Sequence, residues 1–487
     1  MSILVLANIG NSDLNVDGRR LQRPRSEGEA VWATFEQHTF EMPIIEPCIR
    51  WIVRRQPIDR LILFYTDQPE TPETLKLDRF GVSLRDKDTL WCAQIITRLL
   101  RERFGEQIAR IDHQAVVGAG GRAINPSMYD EAFDAYAGLI APLSDPQTTC
   151  YVLMAGGIPA CNTALQLHAI SAFGNHCHVV YQPEGGQPYE LRVGDQVLNT
   201  FRRAAAIEAL ERLDFATALS IVRQFNDAAL KALVEHAHYR ECFDFERAQA
   251  ALADGIRQAS GALRTFLADL ERDLDPLMQC SNMGALLREL VANADITFRN
   301  GRYADFLGRM FRFQEAALRY IVETKLDLPT DMSKERKAVN LPAYQQRIEA
   351  DPGLKAWLDG RTIDGTPLRY DHPNIPAMQA MLEYLVNAKS IKPDGKPYLS
   401  KDEQGRLTGV KQRLDKITAL SQLRNQSVIA HGFAGVSRER LAEVYNGDPA
   451  MLISDLRKIA ELLGLAAQES PFERIAAVAI EQLRHLT

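Results

Sequence analysis

The chain has no run of 18 apolar residues, so no segment has the length and hydropathy of a bilayer-spanning helix. It has no Cys-x-x-Cys pair. Its seven cysteines, at 48, 92, 150, 161, 177, 242 and 280, are scattered and odd in number. That usage speaks for reduced thiols in a cytoplasmic protein and against a disulfide framework. No basic segment precedes the apolar start Met1-Ser2-Ile3-Leu4-Val5-Leu6-Ala7, and Asn8 and Asp13 end it early, so a strand is expected there and not a signal peptide. Positive charge is not in excess: the net charge is −6 and the pI near 6.0. A protein gripping long nucleic acid along its surface would be basic, so any such contact is expected to be local, in a cleft. Hydrophobic content of 46% and charged content of 25% are those of a globular protein. A chain of 487 residues is too long for one core, so two or three domains are expected.

The first part alternates strands and helices. Ile3 to Ala7, Arg60 to Thr66, Ile111 to Val117, Cys150 to Met154 and His178 to Tyr181 read as buried strands. Residues 42–56, Asp88 to Phe104 and the stretch from Pro159 to Phe173 read as helices. Such alternation predicts a doubly wound, Rossmann-like α/β sheet over residues 1–198. Ligands sit at the carboxyl ends of the strands in these sheets. The residues placed there are Asn8, Gly10, Asn11, Ser12, Thr66, Ala155, Gly156, Gly157, Ile158, Pro159 and Asn162. Glycines permit close backbone approach, and the N-terminus of the helix that follows offers N–H groups to phosphate. A plain strand-to-helix turn also favours Gly and Pro. Gly118-Ala119-Gly120-Gly121-Arg122-Ala123 fits a dinucleotide fingerprint, but no helix follows and it is not in the first βα unit, so a surface loop is expected. His176-Cys177-His178 cannot all face one ion, and no metal is expected.

Residues 199–487 are expected to be all-helical, with a linker region over 199–290 and a further domain over 291–487. Helices are predicted over Phe201 to Phe225, Ala229 to Asp273 and Gly301 to Glu323. Loops are expected over 325–345 and 390–410. Within the second half, Leu423-Arg424-Asn425-Gln426-Ser427-Val428-Ile429-Ala430-His431-Gly432 reads as the end of a helix from about Lys411 to His431, with Gly432 as its C-cap. Leu414, Ile417, Leu420 and Val428 form its apolar stripe. At about 100° per residue, Arg424 and His431 share one azimuth, about 10 Å apart along the axis. Such a pair fits metal-free RNA cleavage. An imidazole exchanges protons near neutral pH, and a guanidinium holds a phosphate and its developing charge. It equally fits a salt-bridged core arginine and a histidine stabilised by a helix C-terminus. One pair is a thin site, and two helices in a homodimer supply two.

An α/β ligand domain followed by a helical domain with Arg424-Asn425…His431-Gly432 resembles the CARF–HEPN ribonucleases that accompany type III CRISPR systems. Met154-Ala155-Gly156-Gly157-Ile158-Pro159-Ala160-Cys161-Asn162 is similar to the Gly-Gly-Thr-Pro-type loop of CARF domains, with Ile158 in place of the usual hydroxyl residue. Lys87-Asp88-Thr89 and Asn125-Pro126-Ser127-Met128-Tyr129-Asp130 also look like CARF segments. The resemblance implies a homodimer whose CARF domains bind cyclic tetra- or hexa-adenylate as an allosteric activator. It implies a composite HEPN site of Arg424, Asn425 and His431 that cuts single-stranded RNA without metal or other cofactor, leaving 2′,3′-cyclic phosphates. Some members also degrade the activator slowly. Two other classes stay open: a non-catalytic nucleotide-sensing module whose helical half binds a protein or DNA, and a nicotinamide-dependent oxidoreductase. The missing glycine fingerprint in the first βα unit argues against the last.

Overall fold

The computed structural model describes every residue except Met1, Ala155, Glu184, Cys280, Ser281, Asp364, Ala388, Lys389, residues 466–468 and Thr487. The chain divides into two compact units, Met1–Phe201 and Arg202–Thr487.

The first unit is built on strands β1 (Ser2–Asn8), β2 (Arg60–Tyr65), β3 (Ile111–Ala115), β4 (Thr148–Met154), β5 (Cys177–Tyr181) and β6 (Tyr189–Leu191). They form one sheet in the spatial order β3-β2-β1-β4-β5-β6. The first five are parallel, and β6 runs antiparallel against β5. Helices α1 (Pro24–Ala33), α2 (Ile45–Val53), α3 (Leu90–Phe104), α4 (Tyr129–Ile140) and α5 (Pro159–Phe173) connect the strands. The central strand β1 shows why its sequence is wholly apolar. Side chains alternate between the two faces, and both are covered. Ile3, Val5 and Ala7 pack with Ile49, Ile52 and Ile96 on one face. Leu4 and Leu6 pack with Tyr136, Leu165 and Ile170 on the other. The direction of strand addition reverses between β1 and β4, so the loops after these two strands meet at the switch point. The antiparallel strand β6 and a three-stranded patch of two-residue strands (Asn15–Val16, Arg19–Arg20, Phe40–Glu41) are additions the apolar pattern did not foretell.

Helix α6 (Val193–Glu211) carries the chain into the second unit, which is helical apart from a two-stranded ribbon of Thr362–Ile363 and Thr366–Pro367. Its helices are α7 (Phe215–Val222), α8 (Ala228–Glu241), α9 (Phe245–Gln258), α10 (Gly261–Met278), α11 (Met283–Arg299), α12 (Tyr303–Leu326) and α13 (Lys337–Glu349). They continue as α14 (Pro352–Asp359), α15 (Ile375–Val386), α16 (Lys401–Ala419), α17 (Ser421–Gln426), α18 (Arg438–Tyr445), α19 (Ala450–Leu462) and α20 (Pro471–His485).

The expected long helices are interrupted. Phe201–Phe225 breaks at Leu213 and Ala229–Asp273 at Phe243, residues with φ of 57° and 61°. Behind each stands an aspartate whose carboxylate caps the next helix: Asp214 accepts from Thr217 N–H and Asp244 from Arg247 N–H. Gly261, at φ 56°, marks a third break. The expected loop 325–345 ends early because α13 begins at Lys337. The expected excursion 390–410 ends at Ser400, where a capping box with Glu403 starts α16.

Two large cores and a small cluster of Ala248, Leu274, Leu277 and Ala285 fill this unit. One gathers Phe306, Phe313, Met381, Leu414 and Ile459 from α12, α15, α16 and α19. The other gathers Phe215, Leu230, Leu252 and Leu267 with Phe472, Ile475 and Leu483, so the last helix closes the core of the helices that open the unit.

Candidate ligand site and candidate nuclease site

In the first unit, the loops after β1 and β4 are held face to face by side chains from both. The Asp13 carboxylate accepts from Gly10 N–H at 2.8 Å and from Gly156 N–H at 3.0 Å. It is fully buried, and burial pushes it from 3.8 to about 6 against the pull of those two bonds and of Arg20. A Cβ on Gly10 would lie 2.1 Å from the Gly157 nitrogen, and one on Gly156 2.0 Å from the Asp13 carboxylate. These glycines are required by the contact between the loops.

Asn8 is buried at the end of β1 and donates to Asn162 Oδ1 at 2.8 Å. It accepts from the buried Tyr136 hydroxyl, and Asn162 in turn donates to the Gly156 carbonyl at 3.1 Å. Ile158 sits at the N-cap of α5 in extended conformation and makes no side-chain cap, and Pro159 follows at the first helical position. Asn11 is exposed and Ser12 half-buried on the turn Gly10–Asp13.

Structure thus brings Asn8, Gly10, Gly156, Gly157 and Asn162 into one hydrogen-bonded platform, with Ile158 and Pro159 at its helical edge. Thr66 belongs to a neighbouring arrangement. Its N–H donates to Thr89 Oγ1, and its Oγ1 accepts from Thr89 N–H, both at 3.2 Å. Asp88 lies beside them, raised above its usual range by burial. It accepts from Gln68 N–H at 2.7 Å and faces Arg25 at 3.4 Å. Ala155 lies outside the described residues. Asp13 and Tyr136 are the members that the sequence did not single out. Their partners lie 143 and 128 residues away, and no local signal marks them. Gly118–Arg122 forms a closed surface loop, with Gly118 N–H donating to Arg122 O at 2.8 Å. His178 turns to Glu190 at 2.6 Å while Cys177 is buried, so the His-Cys-His run diverges.

In the second unit, the expected helix Lys411–His431 is corrected. α16 ends at Ala419, α17 stops at Gln426, and Ser427 is extended with φ −92° and ψ 168°. The cause is local. The Ser427 N–H and hydroxyl both return to the Arg424 carbonyl, at 3.0 and 2.7 Å, and compete with helix continuation. The chain then folds back. Ala434 N–H donates to Gln426 O at 2.8 Å, Gly432 N–H to Ser427 O at 3.2 Å, and His431 N–H to Asn425 O at 3.4 Å. Gly432 is no helix cap: a Cβ there would stand 2.0 Å from the Gln426 carbonyl oxygen.

His431 is therefore carried back toward the Arg424-Asn425 segment by a returning loop instead of by helical periodicity. Leu414, Ile417 and Leu420 are buried as the stripe requires, whereas Val428 is 65% exposed. The Arg424 guanidinium lies over the Phe311 ring of α12, 4.5 Å from its centroid. Its Nε and Nη2 both donate to Asn425 Oδ1, at 3.1 and 2.8 Å, which fixes the plane of the fork. Arg424 is half-buried and His431 exposed, so the plainer reading of a salt-bridged core arginine does not hold. Around them Ile429 and Phe433 also reach the surface, Phe433 at 95% exposure. Behind the loop, Gln314 of α12 and Gln379 of α15 both donate to Thr418 Oγ1, at 2.6 and 3.0 Å, anchoring α16 just before the motif.

Residues 279–475 match the family described as the Cas_Csm6 HEPN domain, a span that includes Arg424, Asn425 and His431. Among solved structures, Enterococcus italicus Csm6 bound to cyclic hexa-2′-fluoro-hexa-dAMP is similar to this chain over 99% of both, with a TM-score of 0.56 and 12% identity. At that identity the likeness speaks for the fold. A sequence search of the curated proteins gives no match. No helix among the described residues is long and apolar enough to cross a membrane. A parallel α/β unit thus precedes a helical unit whose residues 279–475 match the Csm6 HEPN domain, and the chain has the two-part fold of a CARF–HEPN protein of the Csm6 type.

Proposed function

We propose that this chain is the ribonuclease effector of a type III CRISPR defence, switched on by a cyclic oligoadenylate. It would cut single-stranded RNA without a metal ion at a site made from Arg424 and His431 of two chains. The observation that carries the reading is the motif loop itself. An exposed imidazole and an oriented guanidinium lie on one returning loop that also exposes Val428, Ile429 and Phe433. Apolar side chains so exposed around a polar pair fit an isologous interface, where a second copy brings a second Arg and His.

At such a site one imidazole takes the 2′-hydroxyl proton. Attack of the 2′-oxygen on phosphorus breaks the bond to the 5′-oxygen, and a second imidazole returns a proton to that leaving oxygen. Two guanidiniums hold the phosphate as charge gathers on its free oxygens. The products are a 2′,3′-cyclic phosphate and a 5′-hydroxyl, with no water consumed. Asn425 acts through Arg424 by fixing its plane. The platform of Asn8, Gly10, Gly156, Gly157 and Asn162, with the start of α5, is the surface offered to the activator. Backbone N–H groups at a helix N-terminus suit its phosphates. Binding can switch the nuclease only if the ring favours the active arrangement. The ring named in the Enterococcus italicus structure supports this assignment.

The test is cleavage of a fluorescent single-stranded RNA in EDTA, without activator and with cyclic tetra- or hexa-adenylate. Cleavage with one ring, abolished by Arg424→Ala and by His431→Ala, is expected. Full activity of His431→Ala would overturn the assignment of that residue. Silence with every ring would favour a sensing module whose helical half docks a partner.

A further inference from the structure

The second unit holds a cavity of about 740 Å³, within the usual range for small-molecule sites, that the nuclease reading does not use. Its walls come from α8, α10, α11, α19 and α20, with Leu277 and Val291 on the apolar side. Five arginines line it; Arg272 is paired with Asp269 and Arg457 with Asp295, which leaves Arg240, Arg288 and Arg474. Arg240 is buried and forked onto Glu289 by two hydrogen bonds of 2.8 Å, yet its Nη1 has no hydrogen-bond partner among the described residues. Arg288 and Arg474 are half-buried and make no ion pair among the described residues.

The carboxylates along the same walls divide into two groups. Glu289 is occupied by Arg240, Asp295 by Arg299 and Arg457, and Glu473 by Arg299 at 2.9 Å. Asp273 and Glu469 are exposed and make no ion pair among the described residues. The N-terminus of the 15-residue helix α20 opens on the same space through Ser470 and Pro471, and Ser470 makes no side-chain cap. Half-buried guanidiniums without a carboxylate, a buried N–H without an acceptor and an uncapped helix N-terminus share one need, an anion.

We infer that this cavity is a binding site for a phosphate-bearing molecule of nucleotide size, with Arg288 and Arg474 as its phosphate ligands. Exposed Asp273 and Glu469 then face the sugar or base at the mouth, where carboxylates accept from hydroxyl and amino groups. The inference is independent of the activator platform and of the motif loop.

Calorimetric titration of the full chain with adenosine 5′-monophosphate, and separately with adenosine, tests it. Saturable binding of the monophosphate is expected, with adenosine silent. Arg288→Ala combined with Arg474→Ala should weaken binding at least about tenfold, because two charged donors are lost. Circular dichroism should match the wild type, and Asn162→Ala should leave the affinity unchanged. Overturning results are no binding at millimolar concentration, equal binding of adenosine, or equal binding by the double variant. Loss in Asn162→Ala alone would also overturn it, by moving the ligand to the sheet's loops.

Discussion

Replacing Asp13 by asparagine tests whether a buried carboxylate holds the two loops of the sheet together. Asp13 is fully enclosed, takes the Gly10 and Gly156 N–H groups, and is raised from 3.8 to about 6 by burial. Because the folded chain holds that proton more tightly than the unfolded chain, protonation favours the fold. The contribution is complete below about pH 4 and is lost as the pH climbs through about 6. A rise of that size corresponds to about 3 kcal/mol across the window. The amide of the Asp13→Asn variant does not titrate. It also turns its NH2 toward one of the two backbone donors, at a cost of about 1–3 kcal/mol.

The stability of the wild type relative to Asp13→Asn should therefore fall by about 3 kcal/mol between roughly pH 4 and pH 7. Urea unfolding followed by tryptophan fluorescence reads this directly, since Trp32, Trp51 and Trp91 lie in the first unit and only Trp357 in the second. Parallel stability curves for the two proteins over that window would refute the reasoning.

Gly432→Ala places a methyl group against the Gln426 carbonyl, so RNA cleavage should fall to the level of His431→Ala while ring binding, measured by calorimetry, stays at the wild-type value. Phe433→Glu should reduce activator-dependent cleavage at least about tenfold through the lost interface, with the melting temperature unchanged, because an exposed substitution moves stability by about 0.5 kcal/mol or less. Glu289→Ala strands the buried Arg240 charge and should destabilise the helical unit by about 3–5 kcal/mol in denaturant titration, with Glu289→Gln in between.

The strands of the sheet were legible because burial on both faces leaves an unbroken apolar run, as in Ile3 to Ala7. The turns after β1 and β4 were legible from the Asn, Gly and Pro residues that end their apolar runs. Hidden from the sequence was the reason for the glycines. Gly10 and Gly156 meet each other and Asp13 across the switch point, a contact between residues far apart in the chain. In the helical half, Leu213 and Phe243 take positive φ with no glycine to announce it. The one available signal was the aspartate after each, in Leu213-Asp214-Phe215 and Phe243-Asp244-Phe245, a residue type that prefers to begin helices. Arg424 and His431 were singled out by type and spacing. Their geometry was misread because helical periodicity gave no weight to Ser427, whose hydroxyl returns to Arg424 O, or to the β-branched pair Val428-Ile429 that follows.

The closure of the first helical core by α20 has a consequence for the order of events at birth. Phe215 packs beside Phe472, their ring centroids 5.8 Å apart, and neither is buried without the other's element. At roughly 5–20 residues per second, a ribosome needs on the order of 10–50 s to travel from one to the other. During that interval α7 to α10 have formed turns but lack the wall they fold against. Those helices therefore wait, partly open, for α20. A truncation before Pro471 would remove that wall while keeping Arg424, Asn425 and His431 in the chain.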